Sequence, residues 1–127
     1  IKNVRTSNDW LTRDETVVDE YNAGKLTTFL FTVNGYRGLM NMILYVRKPR
    51  NIAKIPKNLP MLMVSGLDDP VGEYGKGVYR AYNTYHGHID DIDLRLFEDC
   101  RHELCNELNK EEIYEEIYGW IMDHMNK

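Results

Sequence analysis

Two neighbouring acidic residues and a histidine occupy positions where they could work as an acid–base pair. Asp68 and Asp69 follow the apolar run at 61–64, and His102 follows the alternating segment at 92–97. If both segments are neighbouring parallel strands, the loops beyond their carboxyl ends face each other. A carboxylate that orients an imidazole, and an imidazole that takes a proton from a nucleophile, form the acid–base half of a hydrolytic triad.

Two strands must position these loops. Residues 61–64 form a continuous apolar run that ends at Ser65 and Gly66, a pattern typical of a strand buried on both faces. Polar and apolar residues alternate over 92–97, which predicts a second strand. We expect a helix over 73–85 between them. Two strands joined by a helix are most simply parallel, with a right-handed crossover.

The remaining patterns predict helices. Asn109 and Glu112 form a capping pair for a last helix, whose apolar stripe runs from Ile113 to Met125. Near the start, Thr12 and Glu15 have the spacing of a capping box, so we expect a helix over 13–23.

The longer apolar stretch at 25–47 fits a helical face, although two glycines weaken its middle. Its run at 29–33 could instead be a strand by propensity alone. Helix is our prediction for the whole stretch.

Composition limits the function classes. The chain has 127 residues, enough for one domain with one core. Its net charge of -4 argues against nucleic acid as the main partner. Two cysteines suit a reducing compartment, so we expect a cytoplasmic protein. The apolar runs are too short for a stable membrane insertion.

Three parts of the sequence resemble one family. Residues 59–72, LPMLMVSGLDDPVG, resemble the penultimate strand and acid loop of an α/β-hydrolase of the monoacylglycerol lipase, lysophospholipase and serine aminopeptidase group. Residues 101–103, RHE, before a terminal helix, look like that group's histidine loop. Residues 10–15, WLTRDE, and 31–35, FTVNG, are similar to its helical cap, or lid.

The resemblance implies a fold and roles for individual residues. The fold is α/β: the C-terminal portion of an α/β-hydrolase, with two parallel strands, flanking helices and a helical cap. The cap corresponds to 1–58 and the core to 59–127. The family pattern Gly-x-x-Asp, counted from Gly66, makes Asp69 the triad acid, with Asp68 second, and His102 becomes the base. No cofactor or metal is expected. The substrate would be a small-molecule ester or lipid, of unspecified head group and acyl chain.

The sequence departs from the family at the nucleophile. The family's serine lies in Gly-x-Ser-x-Gly, and the only serines here, Ser7 and Ser65, lie outside such a motif. The oxyanion-hole segment is also missing from this sequence. The chain begins at Ile1 rather than Met, so we expect it to be a piece of a longer serine hydrolase and inactive by itself.

Other interpretations compete with this one. Cys100, His102 and Cys105, near His86 and His88, do not match common zinc spacings. The apolar stretch at 25–47 could be a lipid-binding lid or plain core.

The chain could also be a non-catalytic interaction or assembly domain derived from a hydrolase, or be complemented by a separate serine-bearing chain. A thin two-stranded sheet leaves an edge, so we expect a homo-oligomer that covers it.

Overall fold

The computed structural model describes residues 4–125. The first three residues of the predicted cap, 1–3, and the last two of the predicted core, 126–127, lie outside the described residues. The elements are α1 (Glu15–Ala23), α2 (Val33–Val46), α3 (Pro49–Ile52), β1 (Met61–Gly66), α4 (Lys76–His86), β2 (Ile92–Phe97), a 3₁₀ turn (Leu104–Asn106) and α5 (Lys110–Met125). None of the helices within 4–125 is both long and apolar enough to cross a membrane.

The two strands pair in parallel, as predicted. Met61 lies opposite Ile92 at one end of the ladder, and Gly66 lies opposite Phe97 at the other. Helix α4 makes the crossover and contacts both strands. Because the carboxyl ends of β1 and β2 are aligned by this register, the loops that follow them begin side by side.

The core lies between the sheet and the last helix. Cys100, Leu104 and Ile113 are buried, and three partly buried side chains pack against them: Val64, Phe97 and Ile117. Each burial removes apolar surface from water and contributes roughly 25 cal/mol per Å². This cluster fixes the loop after β2 against α5, so the loop that carries His102 has a rigid base.

The first helix begins later than predicted, and the predicted capping box is wrong. Asp14 is the N-cap of α1, and its carboxylate accepts the backbone N–H of Thr16. Thr12 is fully buried instead, and its hydroxyl donates to the carbonyl of Asn106 at 2.8 Å. A tertiary contact 94 residues away therefore uses the side chain that the local pattern assigned to the helix.

Two other helix boundaries also differ from the prediction. Helix α2 begins at Val33, where the Thr32 hydroxyl accepts the Gly35 N–H, so 25–32 are neither helix nor strand. Helix α4 begins at Lys76 rather than 73. Residues 73–75 all have positive φ, 53°, 55° and 80°, a left-handed conformation that a right-handed helix cannot include.

Candidate active site

The acid loop and the histidine loop are joined by their backbones. Beyond the ladder, the N–H of Leu67 donates to the Phe97 carbonyl at 2.9 Å, and that of Asp68 donates to the Cys100 carbonyl at 2.8 Å. Gly66 makes this approach possible, because a Cβ there would overlap the carbonyl oxygens of Cys100 and Arg101. The glycine thus lets β1 run directly beneath the histidine loop.

Asp69 lies in the turn after β1 and is only 5% exposed. Its Oδ1 accepts the backbone N–H of Val71 at 2.8 Å, and its own carbonyl accepts the N–H of Tyr74 at 2.8 Å. These bonds hold the carboxylate in one orientation. Its other oxygen, Oδ2, lies 3.0 Å from Nδ1 of His102.

The contact with Asp69 determines which imidazole nitrogen is available. An ionised carboxylate can only accept, so the Nδ1 of His102 carries the proton and donates it to Oδ2. The lone pair is then on Nε2, to which no group within residues 4–125 is hydrogen-bonded. The His102 side chain is 39% exposed, so the imidazole is not sealed inside the protein.

The two acidic candidates differ clearly in position. Asp69, the first choice from the resemblance, is the residue in contact with His102. Asp68 is exposed, and within the described part of the chain its carboxylate makes no ion pair or hydrogen bond. The structure therefore brings Asp69, and not Asp68, together with the predicted histidine, His102.

The segment at 9–13 lies along the histidine loop. No pattern in the sequence indicates this contact. The backbone N–H of His102 donates to the Trp10 carbonyl at 3.3 Å, and that of Glu103 donates to the Leu11 carbonyl at 2.7 Å. The Trp10 ring also contacts the imidazole, with ring centroids 5.0 Å apart and tilted by 53°. Trp10 thus packs against the imidazole of His102.

A buried carboxylate anchors the same loop. Glu107 has no exposed side-chain surface, and its Oε2 lies 2.8 Å from Nε of Arg13. Its Oε1 accepts the backbone N–H of Arg101, next to His102, at 2.6 Å. The guanidinium of Arg13 also donates to Oδ1 of Asn109 at 2.6 Å. One carboxylate therefore ties the segment at 9–13 to the loop that carries the histidine.

The surroundings of Glu107 alter two pKa values. Burial lowers the pKa of Arg13, but the hydrogen bond and charge of Glu107 outweigh it, and the net shift is upward. Burial, followed by the negative charge of Glu107, raises the pKa of the Cys100 thiol. Arg13 is therefore firmly cationic, and Cys100 is a neutral core residue. The sequence carries no local signal for the part that Arg13 plays, because Arg13 and Glu107 are 94 residues apart.

Neither serine within the described residues is placed to react with His102. The Ser65 hydroxyl is buried and donates to the carbonyl of Gly66 at 3.4 Å. Ser7 is exposed in the segment before α1. Residues 4–125 therefore contain an oriented base, and no serine hydrogen-bonded to it.

Comparison with known proteins identifies the family of the chain. Residues 2–109 match the family model described as serine aminopeptidase, S33, which is well over half of the chain. The chain belongs to this family of α/β-hydrolases. No curated protein sequence matches it significantly.

Solved structures share the fold of this chain. It is similar to a highly thermostable carboxyl esterase from Bacillus coagulans in complex with glycerol, with TM-score 0.80 and 24% identity over 99% of this chain and 40% of the esterase. It is also similar to a lipase in its open form, with TM-score 0.77 and 24% identity over 94% of this chain and 41% of the lipase. The chain thus spans about two fifths of the length of these proteins. The predicted family and fold class are confirmed.

One cluster of metal-binding side-chain types lies away from the acid–base pair. Within residues 4–125, ligand atoms of Asp91, Asp93 and His124 all lie within 4.8 Å of one another. Their atoms have protein partners, however: Oδ2 of Asp93 accepts Nε1–H of Trp120 at 2.7 Å, and Nε2 of His124 lies 3.3 Å from Oδ2 of Asp91. These side chains therefore have hydrogen-bond and ion-pair partners without an ion.

Proposed function

We propose that this chain supplies the acid and the base of a serine hydrolase that cleaves carboxylic esters, of the lysophospholipase or monoacylglycerol lipase kind. One observation carries the proposal: a buried carboxylate, Asp69, holds His102 through Nδ1 and leaves Nε2 open. The esterase and lipase among the similar structures support ester chemistry and a small-molecule ester or lipid substrate.

The proposed mechanism uses each atom of the pair. Nε2 of His102 accepts the proton of a serine hydroxyl as the oxygen attacks the ester carbonyl, and later returns it to the leaving alcohol. Asp69 keeps the imidazole in the required tautomer and stabilises the imidazolium that forms. The serine and the oxyanion-hole donors must come from outside residues 4–125. By itself, this chain is a base without a nucleophile, and we expect it to be inactive.

Active-site labelling tests the proposal. The protein is captured from its native source with an antibody raised against this chain, its intact mass is measured, and it is treated with a fluorophosphonate probe. We expect a mass above 15.0 kDa and a label on a serine outside the 127 residues. The recombinant 127-residue chain should remain unlabelled. A label on Ser65, or a native protein of 15.0 kDa that takes no label, would contradict the proposal.

A second candidate is a non-catalytic interaction or assembly domain derived from a hydrolase. The observation that favours it is helix α2, which has no buried residue although most of its side chains are apolar. A Gly-x-Ser-x-Gly motif in the native polypeptide would decide for the hydrolase.

We also propose that the chain forms a homo-oligomer through a sheet edge, which light scattering tests. We further propose a cytoplasmic location, which cell fractionation tests.

A further inference from the structure

Asp91, Asp93 and His124 converge at the amino end of β2, the end of the sheet opposite the acid–base pair. Asp91 comes directly before β2, Asp93 is the second residue of that strand, and His124 lies in the last turn of α5. Ligand atoms of the three side chains lie within 4.8 Å of one another. Because β2 and α5 both belong to this chain, its own elements make the convergence.

The imidazole of His124 is held with one nitrogen facing a carboxylate. Its Nδ1 lies 2.7 Å from the carbonyl oxygen of Trp120. Since a carbonyl only accepts, Nδ1 carries a proton and donates it. Nε2 then lies 3.3 Å from Oδ2 of Asp91. A bare lone pair on Nε2 would face the lone pairs of a carboxylate, so this contact is favourable only with a positive charge between the two atoms. That charge is either a second proton on the imidazole or a metal ion.

Trp120 orients two of the three side chains. Its carbonyl fixes the tautomer of His124, and its indole Nε1–H donates to Oδ2 of Asp93 at 2.7 Å. The indole also stacks on the imidazole, with ring centroids 4.0 Å apart and 26° between the planes. In metal sites a ligating histidine almost always donates its other N–H to a carbonyl, carboxylate or water, and ligating carboxylates are themselves hydrogen-bonded. The contacts of Trp120 follow this pattern for both His124 and Asp93.

We propose that Asp91, Asp93 and His124 bind a divalent transition-metal ion such as Zn²⁺, which takes the place of the proton on Nε2 of His124. Imidazole nitrogen and carboxylate oxygen are both common zinc ligands. Two ligands of a tetrahedral zinc, each about 2.0–2.1 Å from the ion, lie about 3.3–3.4 Å apart. The 3.3 Å between Nε2 of His124 and Oδ2 of Asp91 fits that spacing. The displaced proton goes to solvent, and no oxidation or reduction takes place.

The donor atoms favour a transition metal over Mg²⁺ or Ca²⁺. Those two ions prefer a shell of oxygen ligands, whereas Zn²⁺ readily takes an imidazole nitrogen. Two ionised carboxylates also balance the charge of one divalent ion. The side chains of Asp91 and Asp93 are 40% and 39% exposed, so a further ligand can be water or a group from outside residues 4–125. This inference does not rest on the proposed ester hydrolysis.

Competition with a proton makes the proposed binding depend on pH. The charged groups on the strand side of the site are Asp91, Asp93 and Arg95, and Arg95 lies 3.6 Å from Asp93 and 2.9 Å from Glu116 of α5. Glu116 and Asp123 of α5 line the adjoining cleft between the sheet and this helix. A metal must displace the proton of His124, so lowering the pH weakens binding. From pH 6 to pH 5 we expect Kd for zinc to rise about tenfold.

Calorimetric titration with zinc chloride tests the proposal on the complete native polypeptide that carries this chain. The protein is first freed of metal with a chelator and then titrated at about pH 7.5, with magnesium chloride as the comparison. We expect about one equivalent of zinc to bind at this site, at least about tenfold more tightly than magnesium. Repeating the titration at lower pH measures the proton competition.

Two pairs of variants assign the zinc to this cluster. Asp91→Asn removes a ligand charge at a partly exposed position, and Asp90→Asn makes the same change at the exposed neighbouring residue. The first should weaken zinc binding by about tenfold or more, and the second by less than about twofold. His124→Gln is compared with His86→Gln in the same way, since His86 is exposed on α4. Asp91→Asn is nearly isosteric, so it tests the site even if His124→Gln fails to fold.

Several results would overturn the proposal. A native polypeptide that binds no zinc would show that the positive charge beside Asp91 is the proton of His124, or a cationic side chain from outside residues 4–125. Equal zinc binding by Asp91→Asn and Asp90→Asn would assign the ion to another site. A Kd for zinc that stays constant between pH 6 and pH 5 would exclude His124 as a ligand. None of these outcomes alters the fluorophosphonate result, so the two proposals fail separately.

Discussion

Oδ2 of Asp69 lies 3.0 Å from Nδ1 of His102, although 33 residues separate the two along the chain. The parallel register brings them together, because Gly66 and Phe97 end their strands opposite each other. The contact then depends on the acid loop lying directly against the histidine loop. The acid–base pair is therefore a property of the sheet as well as of the two side chains.

The first prediction concerns the imidazole tautomer. Asp69→Asn replaces an acceptor by an amide that can also donate, so His102 should lose its preference for a proton on Nδ1. Long-range ¹⁵N–¹H correlation spectra of the chain at about pH 8.5, where imidazoles are neutral, report the tautomer. We expect the Nδ1–H form in the native chain and a mixture in the variant.

Asp68→Asn is the matched control for this experiment. In the native chain the carboxylate of Asp68 is exposed and lacks a hydrogen bond within residues 4–125. The His102 spectrum of the variant should therefore stay as in the native chain. In a serine-bearing form of the protein, Asp69→Asn should lower kcat by about 10⁴-fold and Asp68→Asn by less than about twofold. Equal effects of the two variants on the tautomer would reject Asp69 as the orienting acid.

The sheet and its loops could be predicted because their signals are local. The apolar run of β1 spans four residues and the alternation of β2 spans six, and the predicted range of β2 agrees with the structure. A parallel pairing then follows from the helix between the strands. The resemblance to a family added the choice of Asp69 over Asp68, and the structure places Asp69 against His102.

The remaining features depend on distant contacts or on unusual backbone. Arg13 and Glu107 pair across 94 residues, and no pattern near either residue indicates the other. Glu73 and Tyr74 have left-handed φ, which residues other than glycine rarely adopt, so the late start of α4 had no compositional signal. Helix α2 was predicted to contribute an apolar face, but the sequence could not show that this face is exposed.

The second prediction tests the close approach of the two loops. Gly66→Ala should lower the free energy of unfolding by about 3 kcal/mol, because the new methyl group would overlap carbonyl oxygens of the histidine loop, which cannot move aside. Gly38→Ala is the control, since a Cβ there has no neighbour within 4 Å and the residue lies inside α2. It should raise stability by about 0.5–1 kcal/mol. Urea denaturation measures both, and a stable Gly66→Ala would show that the loops can separate.

The third prediction concerns the buried ion pair. Arg13→Ala leaves the carboxylate of Glu107, which has no exposed surface, without its charged partner. The free energy of unfolding should fall by about 3–5 kcal/mol. Arg80→Ala is the control, because Arg80 and Glu73 form an ion pair in which both side chains are about 60% exposed. That change should cost less than about 1 kcal/mol, and similar losses in both variants would contradict the structural role of Glu107.

The fourth prediction uses the two cysteines as probes of the histidine loop. Cys100 is fully buried, and burial together with the charge of Glu107 raises the pKa of its thiol, whereas Cys105 is exposed. Since the thiolate is the reactive form, Cys105 should react with iodoacetamide at pH 8 at least about 100-fold faster than Cys100. In about 6 M urea the two rates should become equal, because unfolding removes the burial. Equal rates in the native chain, read by peptide mass spectrometry, would mean that the loop between β2 and the 3₁₀ turn opens readily. The loop would then not hold His102 in one position against Asp69.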